Sequence, residues 1–485
     1  MNLRSSMGTL LAAALLGGWG QTTYAGFVTV EQEAGVWWFK SPEGKPFVSL
    51  GVNHVEPVYW QTPPNATFVA ATYGPEIFAA DGTLREGTPA ATKWGERVAK
   101  ALDAWGCNTL GYHNPLSKSL QSAGTAYYVI ELDLHVPWGW NMPRSVLARA
   151  FKRDSFDVFG EEFAAAVEAN ALAVVKPYAN DPRVLGYAYT DGPPWTVDDD
   201  AGDAAFQKLS DAGKKLHPWV LALMSLPATA KGKQAWLALM KERYPAPDKA
   251  GAAYALTVSS WDELAANTAW TKLGDAARAA EDSQAFLVKI MQQWYAVRQA
   301  GIRKYDTHHL ILGDKLNMNR DSRHPAELTE SLHVMKPHVD VINIQYYGFF
   351  EKQREALALL HRESQLPILN GDTTFTPYWK DPGADAADYY KQLGQDYAGE
   401  IAKLFALPYF IGWHHCGYMR GLRPPYAAAL KRGDKQAADV FVKGRQTLRE
   451  GFISVTEEPI EPLLTPLVAA WKNCENVHRS SGNPK

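Results

Sequence analysis

The sequence predicts an α/β protein: a (β/α)8 TIM barrel with a short N-terminal β extension and a long helical insertion after strand four. Three observations carry that expectation. Eight short apolar runs alternate with helix-spaced patterns, as βα units around a parallel sheet do. Polar, titratable residues follow each run, where barrels of this class carry function. No internal repeat or low-complexity linker breaks the series, and 46% hydrophobic residues supply a core.

Residues 1–25 read as an export signal. Arg4 gives a positive start, Leu10 to Leu16 form a short apolar run, and Thr23-Tyr24-Ala25 offers cleavage after Ala25. The expectation is a secreted or periplasmic protein. The run is too short to span a bilayer and no later stretch replaces it, so no membrane partner is expected after the signal is removed. Residues 26–46 read as the β extension, with Trp37-Trp38-Phe39 and a turn at Ser41-Pro42-Glu43-Gly44.

Residues 47–485 are assigned to the barrel domain. Its predicted strands are Phe47–Asn53, Thr109–Tyr112, Tyr127–Leu132, Val184–Tyr189, His309–Gly313, Val339–Ile344, Pro367–Asn370 and Phe410–Trp413. Trp94, Val98, Leu102 and Trp105 recur at helical spacing, as do Phe163, Val167, Leu172 and Val175. Later helices are predicted over Glu351–Ser364 and Ala384–Leu407, and the Ala-rich segment 196–290 is the helical insertion.

Charge and composition narrow the partners. With 49 basic and 52 acidic residues the net charge is −3, which argues against a nucleic-acid footprint. The 17 Trp and 22 Tyr suit a cleft for sugars, whose flat C–H faces stack on rings, and suit a large aromatic core equally well. Cys107, Cys416 and Cys474 show no metal-ligand spacing and read as buried small residues. No metal or cofactor is expected. The expected partner is a polysaccharide or an oligosaccharide derived from one.

The strand exits supply the candidate site. Asp191 and Asp372 are the candidate catalytic residues. Asn53, His54, His113, His135, Lys315, Arg320, Gln345, Tyr346, Trp413, His414 and His415 are the candidate sugar-binding residues. Histidines at so many exits could move protons or bind hydroxyls. Lys315, Arg320, Arg323, Arg420 and Arg423 suggest an acidic or sulfated sugar at one subsite.

Residues 181–195 read Asp181-Pro-Arg-Val-Leu-Gly-Tyr-Ala-Tyr-Thr190-Asp191-Gly192-Pro193-Pro194-Trp195. This resembles the D-P-x-x-I-G-Y-x-x-T-D-N-E-x-x-W stretch of secreted barrel-fold glycoside hydrolases, most closely the family 50 β-agarases. The resemblance continues in order through Phe47–His54, Trp105–Gly111, Val339–Tyr346, Leu366–Phe375, Phe410–His414 and Gly451–Thr456. It reaches weakly into Tyr254–Trp270, with Trp261 and Leu264. It implies a glycoside hydrolase whose strand-four Glu is the general acid/base and whose strand-seven Glu is the nucleophile. Here Gly192-Pro193 replaces the strand-four Asn-Glu, and Asp372 replaces the strand-seven Glu.

These departures leave the chemistry open. Glycoside hydrolysis normally uses two carboxyl groups flanking the bond. Asp is one methylene shorter than Glu, which withdraws each carboxylate by roughly 1–1.5 Å. An Asp191/Asp372 pair set back on both sides therefore fits inversion better than retention. Two alternatives stand beside hydrolysis: lyase-type β-elimination by a His or Tyr on the same barrel, and a carbohydrate-binding barrel without catalysis.

Overall fold

The computed structural model describes residues 26–482 except 56, 58–62, 80–83, 115–116, 133–156, 192–194, 197–206, 376–385, 423–428, 430–431, 444–447 and 450. The chain opens with β1 (Thr29–Glu33), β2 (Val36–Lys40) and β3 (Pro46–Phe47) in an antiparallel sheet. Ala34 and Gly35, both at positive φ (50° and 82°), turn β1 into β2. That geometry matches the twist of a tight hairpin.

Eight strands then close a barrel. They are β4 (Ser49–Val52), β5 (Thr109–Leu110), β6 (Tyr127–Leu132), β7 (Val184–Asp191), β8 (Ile311–Asn317), β9 (Ile342–Gln345), β10 (Ile368–Thr373) and β11 (Phe410–His415). Each pairs in parallel with its sequence neighbours, and β11 closes on β4 with Gly412 opposite Ser49 and His415 opposite Val52. The expected (β/α)8 barrel is the observed fold. Five predicted strands end too early, because β7, β8, β9, β10 and β11 run on through Asp191, Asn317, Gln345, Thr373 and His415.

The N-terminal sheet closes the amino end of the barrel. Val28, Phe39 and Phe47 are buried in one cluster with Val129, Leu185, Leu310, Leu312, Val341, Leu369 and Ile411. Phe47 stacks on both Phe39 and Tyr127. Burying each such ring is worth about 1.5–3 kcal/mol. The barrel is therefore sealed at one end, and any cleft opens at the carboxyl end.

The surrounding helices follow the sequence spacing. Pro89–Trp105 is capped by the Thr88 hydroxyl and starts on Pro89, and Gly106 ends it at φ 77°. Trp94, Val98, Leu102 and Trp105 all face inward, as predicted. In Glu161–Val174, Phe163 and Val167 are buried but Leu172 is 47% exposed; Ala171 takes the inward position. The stretch 211–303 holds five short helices and then Ala276–Arg303, whose buried face carries Phe286, Ile290, Trp294 and Arg298. This last helix packs on both Glu161–Val174 and Pro325–Met335. It thus belongs to the barrel layer and runs beyond residue 290. Cys107, Cys416 and Cys474 are buried. Among the described residues no helix is long and apolar enough to cross a membrane.

Candidate active site

Strand alternation decides which side chains reach the barrel interior. In β6, Tyr127 and Val129 face inward with the sealed-end cluster, so Glu131 faces inward at the open end. Leu310, just before β8, and Leu312 within it face inward, and plain alternation would send Asp314 after them. Gly313 changes the parity. Its φ of 66° belongs to the left-handed region, and a Cβ there would lie 2.6 Å from Val339 Cγ1. Lys315 consequently enters the barrel, while Asp314 faces the helices. In β10, the register shifts between Asn370 and Asp372, which brings Asp372 inward at the same level.

Asp372 is the centre of the resulting cluster. Its side chain is 4% exposed and, among the described residues, accepts from four. Asn53 Nδ2 (3.2 Å) and Tyr347 Oη (3.1 Å) donate to Oδ1. Lys315 Nζ (2.7 Å) and Gln345 Nε2 (3.2 Å) donate to Oδ2. All are donors, a set that suits an ionised carboxylate, which only accepts. The Lys315 side chain is fully buried, with its ammonium 4.6 Å from the Tyr112 ring centroid. Asn53 fits beside Asp372 because residue 111 is glycine: a Cβ there would stand 2.1 Å from Asn53 Oδ1.

A second group adjoins the first. His113 Nε2 lies 3.1 Å from Lys315 Nζ and 3.8 Å from Asp372 Oδ2. Its Nδ1 lies 3.4 Å from Glu131 Oε1, which also accepts from the His113 backbone N–H. Burial and Lys315 push the His113 pKa down, but Glu131 and Asp372 outweigh them and lift it to about 9. Burial alone would raise the Glu131 carboxyl; His113 and Lys315 hold it below its ordinary value instead. The His54 ring stacks on His113 at 4.7 Å and 23°. Both histidines sit in the left-handed region, at φ 55° and 57°. Such strain in non-glycine residues collects at functional sites.

The remaining candidates lie elsewhere. His414 points into the barrel below Asp372 and is fully buried, with Nε2 2.8 Å from Ser49 Oγ. Burial pushes its pKa down to about 3, with Asp372 opposing. Gly51 makes room for it, since a Cβ there would lie 2.4 Å from its ring. Trp413 and His415 face the helix layer instead. Trp413 stacks on Phe375, and His415 stacks on Phe452 at 4.3 Å. Tyr346 also turns outward and donates to the Lys352 carbonyl, while its neighbour Tyr347 reaches the site. Arg420 is partly buried beside the Tyr390 ring, and Arg323 is exposed.

Several expectations fall outside the described residues: His135, Arg423, Gly192-Pro193, and the side chains of Asp191 and Arg320. The Asp191 backbone lies in β7, opposite Lys315 in register. Beyond the gap, Trp195 is buried against Trp219 and donates to Tyr295 Oη. Glu131 and Tyr347 escape the sequence reading. Strand alternation signals Glu131; Tyr347 directly follows the candidate Tyr346. Among the described residues, no three His, Cys, Asp or Glu side chains converge to hold a metal ion.

The closed parallel barrel carries this cluster at the carboxyl ends of its strands, the end at which (β/α)8 barrels build their sites. Among solved structures, the chain is similar to an agarase (AgWH50C), with TM-score 0.63 and 16% identity over 96% of this chain and 68% of that one. It is also similar to PfGH50B, with TM-score 0.65 and 16% identity over 94% and 69%. An exo-β-agarase gives TM-score 0.63 and 17% identity over 94% and 67%. At these identities the likeness is one of fold. No protein-family model matches the chain, and no curated protein matches it in sequence.

Proposed function

We propose that this protein is an exported carbohydrate-active enzyme that hydrolyses glycosidic bonds in a polysaccharide or its oligosaccharides. The observation that carries the reading is Asp372: a nearly buried carboxylate at the carboxyl end of a barrel strand, gripped by four donors. Barrel enzymes build their active sites at that end. Holding a carboxylate there is costly unless it is paired and hydrogen-bonded. The agarase-like fold supports a sugar as the substrate. Lys315 spends its charge on Asp372, which favours a neutral sugar in the subsite they share over an acidic one.

The test is product analysis on agarose, carrageenan, alginate and polygalacturonate. Hydrolysis yields new reducing ends without near-ultraviolet absorbance. Asp372→Asn should lower the rate by about 10²–10⁴-fold while the protein stays folded. An unsaturated, ultraviolet-absorbing product would replace hydrolysis by β-elimination. Undiminished cleavage by folded Asp372→Asn would remove Asp372 from the chemistry. Mass spectrometry of the exported protein should find Gly26 at its amino terminus.

A further inference from the structure

Tyr347 reaches Asp372 from a turn, two residues past the end of β9. A turn has no ladder to hold its backbone in register, so its N–H and C=O groups need other partners. We propose that Asn319 aims Tyr347 at Asp372 and thereby positions the carboxylate for the reaction. The inference rests on the glycosidic-cleavage reading and deepens it.

The side-chain amide of Asn319 takes both backbone groups of Tyr347. Its Oδ1 accepts from the Tyr347 N–H (2.9 Å), and its Nδ2 donates to the Tyr347 carbonyl (2.9 Å). One donor and one acceptor face the amide, so a single orientation of it satisfies both. The pair of bonds copies the exchange between facing residues of an antiparallel ladder. Asn319 lies in the short helix Met318–Asp321 that follows β8, whereas Tyr347 follows β9. One side chain therefore fastens the exits of two adjacent strands. It is exposed, so shortening it opens no hole in the core.

The turn is also pinned one residue further on. The Gly348 N–H donates to the Thr374 carbonyl (3.2 Å), and Gln353 Nε2 donates to the Gly348 carbonyl (2.9 Å). Those bonds fix residue 348; the Asn319 bonds fix residue 347 itself. Tyr346 consequently turns outward to the Lys352 carbonyl, and Tyr347 turns in. At the far end of the ring, Tyr347 Oη accepts from Gln345 Nε2 (3.1 Å) and donates to Asp372 Oδ1 (3.1 Å). Gln345 Nε2 also donates to Asp372 Oδ2 (3.2 Å). The exit of β9 thus holds both carboxylate oxygens, and the plane of the carboxylate follows the turn. A misplacement of about 1 Å at a reacting group can cost about 10²-fold in rate.

Two measurements test the proposal. The first needs no substrate. In protein carrying tyrosine labelled with carbon-13 at Cζ, the Tyr347 resonance is identified by its loss in Tyr347→Phe. It should shift in Asp372→Asn, which reports the contact, and in Asn319→Ala it should move towards the position of free tyrosine. A resonance that ignores either substitution would overturn the proposal. The second follows reducing-end release from agarose. Tyr347→Phe should lower kcat by about 10–100-fold, the worth of one hydrogen bond to a charged group. Asn319→Ala should also lower kcat, with KM and the urea midpoint little changed. The double variant Asn319→Ala/Tyr347→Phe should be no slower than Tyr347→Phe alone, because both substitutions withdraw the same hydroxyl from Asp372. Losses that multiply, no loss in Asn319→Ala, or a loss that only tracks unfolding would each overturn Asn319 as a residue acting through Tyr347. A wild-type protein that leaves agarose, carrageenan, alginate and polygalacturonate intact would instead sink the cleavage reading, and the tyrosine resonance would still decide whether Asn319 aims Tyr347.

Discussion

Lys315 and Asp372 depend on each other. Removing one partner of a buried ion pair strands the other charge and costs about 3–5 kcal/mol. Lys315→Met should therefore lower the urea midpoint substantially, and the double variant Lys315→Met/Asp372→Leu should recover part of the loss. Recovery is the informative outcome: two independent destabilisations would simply add. At His113 the raised pKa has a thermodynamic consequence. The folded state binds that proton more tightly than the unfolded chain, so the contribution to stability is complete below pH 6.5. It is lost as pH rises towards about 9. Thermal melts should fall over that window in the wild type and fall less in His113→Asn.

Among the secondary-structure elements, Gly313 is the residue on which the site's orientation turns. Its left-handed φ reverses the alternation of β8, sending Lys315 to Asp372 and Asp314 towards Arg298 and Trp294. An L side chain in that conformation costs roughly 1–2 kcal/mol, and here a Cβ would also press on Val339. Gly313→Ala should lower both stability and activity, whereas Leu172→Lys, on the exposed face of its helix, should change stability by no more than about 0.5 kcal/mol. The same elements show what a sequence can tell. Apolar runs mark the eight strands, and β6 falls at the predicted residues. Polar strand ends do not read as strand: Lys315, Asp372 and His414 look like loop residues because a barrel mouth is lined by polar side chains. Glu131 is hidden for the opposite reason, inside a run that already looks complete. Asp372 can be found from its neighbours in the motif. The partners that grip it come from three other strand ends, and their meeting depends on glycine-driven parity and register shifts that no local pattern announces.

For the whole molecule, the sealed barrel sets the response to acid. His414 is enclosed between the sealed end and the site, with its pKa pushed down to about 3 by burial. A histidine held neutral contributes stability above pH 6.5, and the contribution is lost as pH falls towards about 3. Chemical denaturation at pH 7, 5 and 4 should show a steady decline. A flat profile would mean that water reaches this ring.

The two ends of the described chain meet. His478, near the end of the helix Glu461–Ser480, bridges the carbonyls of Trp37 (2.7 Å) and Phe405 (3.0 Å), and Trp37 in turn donates to the Pro408 carbonyl. The hairpin that plugs the barrel is synthesised 441 residues before its clasp. A ribosome-bound chain must therefore carry a sticky, unfinished hairpin throughout that interval. Chaperone dependence should track this interval. A chain truncated after residue 460 should be cleared by proteases, although every barrel strand is present.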